Sequence, residues 1–111
     1  MTGRRGQNTK GWKINLAPEA QKSWKSDELT EDDKIVISLW AQTVHKYGPD
    51  ELQKRPGQWN DHPLFGHWAG CRASNFSNSG RVIYYRFDEH GIVQVLRITK
   101  EHDYSKGGKR K

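Results

Sequence analysis

The fold is decided by the stretch DHPLFGHWAGCR at residues 61–72, together with GRVIYY at residues 80–85. The first stretch begins in extended backbone at a turn, because a residue that precedes proline is disfavoured in a helix. From His67 onward the pattern predicts a strand through Phe76, then a polar turn and a second strand from Arg81. Two His, two Arg and one Trp therefore come close together around a single turn.

The C-terminal part of the chain predicts a meander of strands. The strand from Arg81 runs to Asp88, and a tight turn at residues 89–91 follows it. The segment at residues 92–99 is mostly β-branched or apolar, which is typical of a strand inside a sheet. Strands joined by such short turns are expected to pair antiparallel.

The N-terminal half predicts one strand and two helices. Residues 12–16 alternate apolar and polar side chains, which indicates a half-buried strand, and a short helix begins at Pro18. Thr30 is a good N-cap for a second helix, with Asp33 as its reciprocal partner, and the pair GP at residues 48–49 ends that helix. Its core-facing positions, with Trp40 and Tyr47 predicted as core, are Ile35, Val36, Leu39, Trp40, Thr43, Val44 and Tyr47.

The order of these elements is β-α-α-β-β-β, which predicts the α+β class. The N-terminal strand and two helices are expected to pack on one face of a mainly antiparallel four-stranded sheet, with the other face partly open. A single domain at residues 11–105 holds all of them, since 111 residues are enough for one small domain. Residues 1–10 are predicted to form a disordered basic arm, and residues 106–111 a basic tail.

The chain is basic, with 19 Lys and Arg against 13 Asp and Glu, and a formal net charge of +6. A small basic domain favours a polyanion such as nucleic acid, or an acidic protein partner. The single cysteine, Cys71, excludes an internal disulfide and suits a reducing cytoplasm. No apolar run reaches about 18 residues and the N-terminus carries no apolar leader, so neither a membrane-spanning helix nor a secretory signal is expected.

These motifs together resemble the RelE/ParE toxin superfamily of bacterial type II toxin–antitoxin systems. The resemblance rests on L-x-G-x-W-x-G-x-R at residues 64–72, the strand start GRVIY at residues 80–84 and the strand ending VLRI at residues 95–98. With DHP in front of it, the first motif is most similar to that of the YafQ branch of ribosome-dependent mRNA interferases. The resemblance covers roughly residues 11–105 and implies a RelE-like fold.

The resemblance implies an endoribonuclease toxin that enters the ribosomal A site and cleaves translated mRNA there, without metal or other cofactor. The ribose 2′-hydroxyl attacks the adjacent phosphate and the 5′-oxygen leaves, which produces a 2′,3′-cyclic phosphate. This reaction requires a base, positive charge beside the phosphorane and an acid for the leaving oxygen. The implied partners are a cognate antitoxin and the ribosome with its mRNA and rRNA, in the bacterial cytoplasm.

The resemblance assigns catalytic roles to four residues. His62 matches the YafQ-type histidine and can act as base or acid, since imidazole titrates near neutrality; the alternative for this loop histidine is a hydrogen bond to its own turn. Arg81 lies at the family's phosphate-binding arginine position, and its fork can contact two phosphate oxygens. His102 lies near the family's C-terminal acid, and Tyr104 can stack on a base or donate a proton.

Three further cations are predicted to contact RNA. Arg72 falls where the RelE branch carries a lysine, and Lys100 follows the last strand. Arg97 has the spacing to share a face with Val93 and Val95, which we expect to be the open side of the sheet. Ion pairs across the sheet are the alternative role for Arg72 and Arg81, and solvated charge is the alternative for Lys100.

The sequence combines features of two branches of the family. Asn75 stands where the YafQ branch has a second histidine, and Gly80-Arg81 stands where that branch has Asp-Trp and resembles the RelE branch instead. The C-terminal histidine of the YafQ branch aligns with Glu101 or His102. These departures leave the assignment of acid and base open between the candidates.

Two other functions are compatible with parts of the sequence. A ParE-type toxin inhibits DNA gyrase by binding and needs no base or acid, so the set of His and Arg candidates argues against it. A degenerate toxin would only bind its antitoxin or nucleic acid. A metal site is not expected, because no ligand spacing such as His-x₃-His appears. Trp68 is expected to be core more than a stacking platform, and His67 a surface residue.

Overall fold

A computed structural model describes residues 11–100 of the chain. The predicted arm and tail, and the candidates His102 and Tyr104, lie outside these residues. Two short 3-10 turns, before β3 and before β5, accompany the helices and strands. In chain order the helices and strands are β1 (Lys13–Leu16), α1 (Pro18–Lys25), α2 (Glu31–Tyr47), α3 (Asp50–Gln53), α4 (Pro56–Trp59), β2 (His62–Pro63), β3 (Arg72–Asn75), β4 (Arg81–Phe87) and β5 (Ile92–Thr99).

The described strands form one mixed sheet in the order β1-β5-β4-β3-β2. β1 pairs parallel with β5, and the other neighbouring pairs are antiparallel. The α+β class and the C-terminal meander are therefore confirmed. The sheet has one strand more than predicted, because His62 and Pro63 pair with Ala73 and Arg72 at its edge. Proline is tolerated there, since the outer side of an edge strand needs no ladder donor.

The strand that follows the DHPL motif is shorter than predicted. The prediction began at His67, but Gly66–Trp68 forms a 3-10 turn and β3 starts at Arg72. Gly66 and Gly70 have φ angles of 63° and 92°, in the left-handed region that interrupts extended backbone. The segment between β2 and β3 therefore forms a loop, and only its last residues continue into the sheet.

The N-terminus of α2 carries the predicted capping box. The Thr30 hydroxyl accepts a hydrogen bond from the Asp33 backbone N–H, and the Asp33 carboxylate accepts one from the Thr30 N–H, both at 3.0 Å. At the other end, the Gly48 N–H donates to the Val44 carbonyl at 2.8 Å, and Gly48 has a φ of 90°. Both ends of the helix follow from these local signals.

The buried stripe of α2 is narrower than predicted. Ile37, Trp40 and Val44 are buried, whereas Tyr47 is 60% exposed and was wrongly predicted as core. Ile35 and Leu39 are exposed as well. A sheet covers only one side of a helix, so apolar residues at flanking positions stay outside the contact.

The sheet separates two apolar clusters. The larger one lies on the helix side and includes Trp40 and Tyr84. On the other side, Leu64, Ala73 and Ile83 form a small cluster, against which Trp68 and Cys71 pack. No residue of α1–α4 belongs to this small cluster, and we call that side the open face. The loop between β2 and β3 covers part of it.

A β-bulge separates Arg97 from the face that carries Val93 and Val95, and Arg97 lies on the open side that was expected for it. Ile83 pairs with Arg97, but the next residue, Tyr84, pairs with Val95, so Leu96 is the extra residue of β5. The expectation that Arg97 shares a face with Val93 and Val95 is therefore wrong, because one inserted residue inverts the alternation of the strand. Arg97 lies on the open face opposite Ile83 and is exposed.

Within residues 11–100, no helix has both the length and the apolar character needed to cross a membrane.

The C-terminal end of β5 is fastened to the start of α2 by an ion pair. The Lys100 ammonium lies 2.9 Å from the Asp33 carboxylate. Burial alone would raise the pKa of Asp33, but hydrogen bonds from Thr30 and Lys100 outweigh it and lower that pKa. The ionised carboxylate therefore stabilises the fold above its ordinary pKa, and this contribution is lost as the pH falls through the lowered value.

We expect Asp33→Asn to lower the free energy of unfolding by about 1 kcal/mol at pH 7, because it removes a charged cap. Below a pH of about 4 the gap to the unaltered protein should narrow, and it should close as the pH falls through the lowered pKa of the native carboxylate. Urea unfolding at a series of pH values measures both effects. Asp32→Asn, at an exposed position of the same turn, is the control. An equal gap at pH 7 and pH 3 would contradict the proposed charge effect.

Candidate active site at the β2 edge of the sheet

A buried carboxylate, that of Asp61, organises the start of the DHPL motif. Its side chain has 0% exposure and accepts three hydrogen bonds of 2.6 Å. Arg72 Nε donates to one oxygen, and the Ser74 and Tyr84 hydroxyls donate to the other. The Ser74 hydroxyl in turn accepts a bond from Trp40 Nε1 at 2.9 Å. The network therefore joins the segment before β2 to β3, β4 and α2.

The network satisfies the conditions for burying a charge. A carboxylate without water requires an opposite charge and hydrogen bonds to its remaining lone pairs, and Arg72 and the two hydroxyls supply them. Burial, together with the adjacent Asp61 charge, raises the pKa of Tyr84, so its phenol remains a donor. Asp61 was not among the predicted site residues. The alternation of Arg72 and Ser74 along β3 was the available signal that two polar side chains face the helix side.

His62 has a defined tautomer when its ring is neutral. Its Nδ1 lies 2.6 Å from the backbone carbonyl oxygen of Asn60. A carbonyl can only accept, so Nδ1 must carry the proton and Nε2 keeps its lone pair. Asn60 adopts left-handed backbone with a φ of 45°, at the end of α4. The turn before β2 therefore orients the ring with its basic nitrogen directed away from Asn60.

Cross-strand pairing places His62 on the open face. His62 pairs with Ala73, Ala73 with Ile83, and Ile83 with Arg97, and directly opposed residues point to the same side of a sheet. His62 and Arg97 thus lie at the two ends of one row, about 14 Å apart across three strand spacings. They are therefore too far apart for both side chains to contact the same phosphate group. Arg97 also lines a groove beside α1 with Glu19 and Lys22.

Arg81 is buried at the β3–β4 turn. It is 8% exposed, and its Nη1 donates to the carbonyl oxygens of Ser77, Asn78 and Gly80 at 3.4, 3.2 and 2.9 Å. Arg81 pairs with Asn75, which places it at the end of the open face. The guanidinium therefore stabilises the turn, and phosphate contact by Arg81 stays a prediction.

The other predicted contacts divide between the two sides. Arg72 lies on the helix side, is 22% exposed and binds Asp61 through Nε, while Lys100 binds Asp33. The structure therefore brings His62, Arg81 and Arg97 to one face, and Arg72 to the other. His67 is exposed, as predicted, and its ring meets that of Trp68 edge-on at 5.4 Å.

Neither a reactive thiolate nor a metal cluster is indicated within residues 11–100. Burial raises the pKa of the Cys71 thiol, which does not favour a thiolate. Among residues 11–100, no group of three or more His, Cys, Asp or Glu side chains is placed to hold a metal ion.

Several solved structures share this architecture. The RelE–RelB complex from the archaeon Pyrococcus horikoshii matches with a TM-score of 0.64 and 14% identity, over 85% of this chain and 98% of that chain. The YoeB–YefM complex from Staphylococcus aureus matches with a TM-score of 0.61 and 15% identity, over 79% and 94%. A copper-bound mutant toxin from Helicobacter pylori matches with a TM-score of 0.60 and 25% identity, over 78% and 91%.

No protein-family model and no curated protein sequence matches the chain. The chain therefore has the fold of RelE and YoeB proteins, which is the fold that the motifs of residues 61–85 predicted. The similar structures include both RelE and YoeB proteins, so the fold alone does not select a branch.

We expect Asp61→Ala to destabilise the protein by about 3–5 kcal/mol, because it leaves the Arg72 guanidinium without its partner in a largely buried position. Urea unfolding followed by tryptophan fluorescence measures this loss. Asp27→Ala, at an exposed position, should change the free energy of unfolding by less than about 0.5 kcal/mol. A loss below about 1 kcal/mol for Asp61→Ala would show that the network does not hold the edge of the sheet.

Proposed function

We propose that this protein is the toxin of a type II toxin–antitoxin system and acts as a ribosome-dependent mRNA endoribonuclease. The observation that carries the proposal is the geometry of His62, with Nδ1 bound to a backbone carbonyl and the ring on the open face of a RelE-like sheet. A histidine fixed in this way has its second nitrogen available for proton transfer. The motif similarity and the shared fold support the same activity.

The proposed reaction needs only the RNA and protein side chains. His62 Nε2 accepts the proton of the ribose 2′-hydroxyl, whose oxygen forms a bond to the adjacent phosphorus. The bond from phosphorus to the 5′-oxygen breaks, and that oxygen takes a proton from an acid. His102 and Tyr104 are the candidates for this acid, and both lie outside the described residues. Positive charge beside the phosphorane completes the requirements of the reaction.

The arginines have separate roles in this proposal. Arg81 contributes positive charge at the end of the open face, where its side chain also holds the β3–β4 turn. Arg97 contacts a neighbouring phosphate of the RNA strand. It lies about 14 Å from His62, which is too far for both residues to contact the same phosphate. In this proposal Arg72 and Lys100 contact RNA only through those side-chain N–H groups that are not used in their ion pairs.

A cognate antitoxin is the proposed protein partner. Two of the similar structures are complexes of this kind, RelE–RelB and YoeB–YefM. Exposed apolar side chains on α2, Ile35 and Leu39 beside Trp24, offer the toxin a surface that such a partner can cover.

We expect His62→Ala to reduce mRNA cleavage by about 10²–10⁴-fold, since a positioned acid or base contributes that much. Expression of the chain in bacteria, followed by primer extension on translated mRNA, should show cuts in phase with codons that disappear in the variant. His90→Ala is the matched control, because His90 is an exposed histidine in the turn before β5.

Three outcomes would contradict the proposal or part of it. DNA breaks and an SOS response with intact mRNA would identify a gyrase inhibitor of the ParE type. Intact mRNA with normal growth would indicate a protein that only binds. Cleavage that persists in His62→Ala at the rate of His90→Ala would remove His62 from the mechanism.

A further inference from the structure

Two aromatic side chains lie exposed on the open face of β4. Tyr85 is 41% and Phe87 43% exposed, and their ring centroids are 4.9 Å apart with an interplanar angle of 67°. Together with Ile83 they occupy every second position of β4, so all three side chains point to the same side of the sheet. Large aromatic rings are usually buried, and an exposed pair on a sheet indicates a surface that binds something.

The sheet around this pair is basic. No residue of β1–β5 is Asp or Glu, whereas five are Lys or Arg: Lys13, Arg72, Arg81, Arg86 and Arg97. Lys13 and Arg97 are exposed on the open face: Lys13 shares the row of Ile92 with Phe87, and Arg97 lies one open-face row beyond Tyr85. Arg86 is held by Asp50 and Asp88 at 2.7 Å, on the helix side. A positive surface with exposed rings is the combination that single-stranded nucleic acid requires.

The pair is also placed within reach of the proposed active site. Tyr85 lies two residues along β4 from the row that contains His62, and two strands away from it. These steps give a separation of about 12 Å. A strand bound at His62 therefore reaches Tyr85 with a nucleotide close to the scissile one.

We propose that Tyr85 and Phe87 form a stacking platform for bases of single-stranded RNA, flanked by Arg97 and Lys13 as phosphate contacts. The inference rests on the proposed function in its choice of RNA, and it adds a subsite that holds the strand. Stacking on rings accepts any base, so the platform would position RNA without selecting a sequence.

A protein partner fits this face less well. Ala73 and Ile83 are fully buried beneath the loop between β2 and β3, so Tyr85 and Phe87 are the large apolar side chains that the described strands leave exposed. A stable protein interface needs about 800 Å² on each side, with an apolar centre. Exposed apolar side chains that offer more continuous area, Ile35 and Leu39, lie on the helix layer instead.

Fluorescence anisotropy with a labelled single-stranded RNA of about 12 nucleotides, at low salt, tests the platform in the free full-length protein. We expect the double variant Tyr85→Ala/Phe87→Ala to bind about tenfold more weakly, because base stacking is lost. An RNA of the same length with abasic nucleotides should bind the variant and the unaltered protein equally. Arg97→Ala should weaken binding of both RNAs and reduce the salt dependence, as expected for a phosphate contact.

Tyr47→Ala is the matched control, since Tyr47 is an exposed tyrosine on the helix layer, and it should bind as the unaltered protein does. Urea unfolding of each variant shows whether the fold is retained, which the exposure of both rings leads us to expect. Unchanged RNA affinity in the double variant would overturn the proposal, and so would an equal loss with abasic RNA. Loss of antitoxin binding with RNA affinity intact would identify a protein-docking surface instead.

The platform and the proposed nuclease fail in different ways. Absence of RNA binding by the unaltered protein overturns the platform, while codon-phased cleavage on ribosomes can still occur. Absence of cleavage with stacking-dependent RNA binding retained overturns the nuclease and leaves the platform standing.

Discussion

The carboxylate of Asp61 is the group on which the edge of this sheet depends. A fully buried charge forces its neighbours into place, because each missing hydrogen bond would cost free energy that a small domain cannot spare. Arg72, Ser74 and Tyr84 meet that requirement from β3 and β4, and Trp40 extends the network to α2. The two-residue strand β2 could not be held by its own ladder bonds. The ion pair and the hydroxyls keep it against β3.

Extended backbone places the residue that follows this anchor on the other side of the sheet. Asp61 and His62 are consecutive, and successive side chains in extended backbone point to opposite sides. The first residue is therefore buried on the helix side while the second reaches the open face, where Ala73 and Ile83 form its row. Pro63 follows Asp61 and His62 and lies in the edge strand. Proline suits this position because it has no backbone N–H that could donate to a further strand. One short motif thus holds the edge of the sheet and places a histidine with a defined neutral tautomer on the open face.

Local signals in the sequence predicted most elements but not the polar contacts between distant segments. The capping box of Thr30 and Asp33 and the glycine after α2 act within a few residues, so they can be recognised without tertiary structure. The partners of Asp61 and Arg81 depend on how strands are aligned, and that information is not local. From the sequence alone, an arginine at the start of a strand is equally compatible with a phosphate contact and with hydrogen bonds to backbone carbonyl oxygens. The candidate His62 could be predicted from its motif, whereas Asp61 could not.

The bulge in β5 shows how one residue can decide which side of a sheet carries charge. With regular alternation, Arg97 would point with Val93 and Val95 into the apolar cluster beneath α2, where an unpaired guanidinium is costly. The extra residue Leu96 inverts the strand, so Ile98 fills that cluster and Arg97 emerges opposite Ile83. The same change keeps β5 apolar toward the helices and basic toward the open face. The irregularity therefore lets one strand contribute apolar side chains to the core and a positive charge to the exposed face.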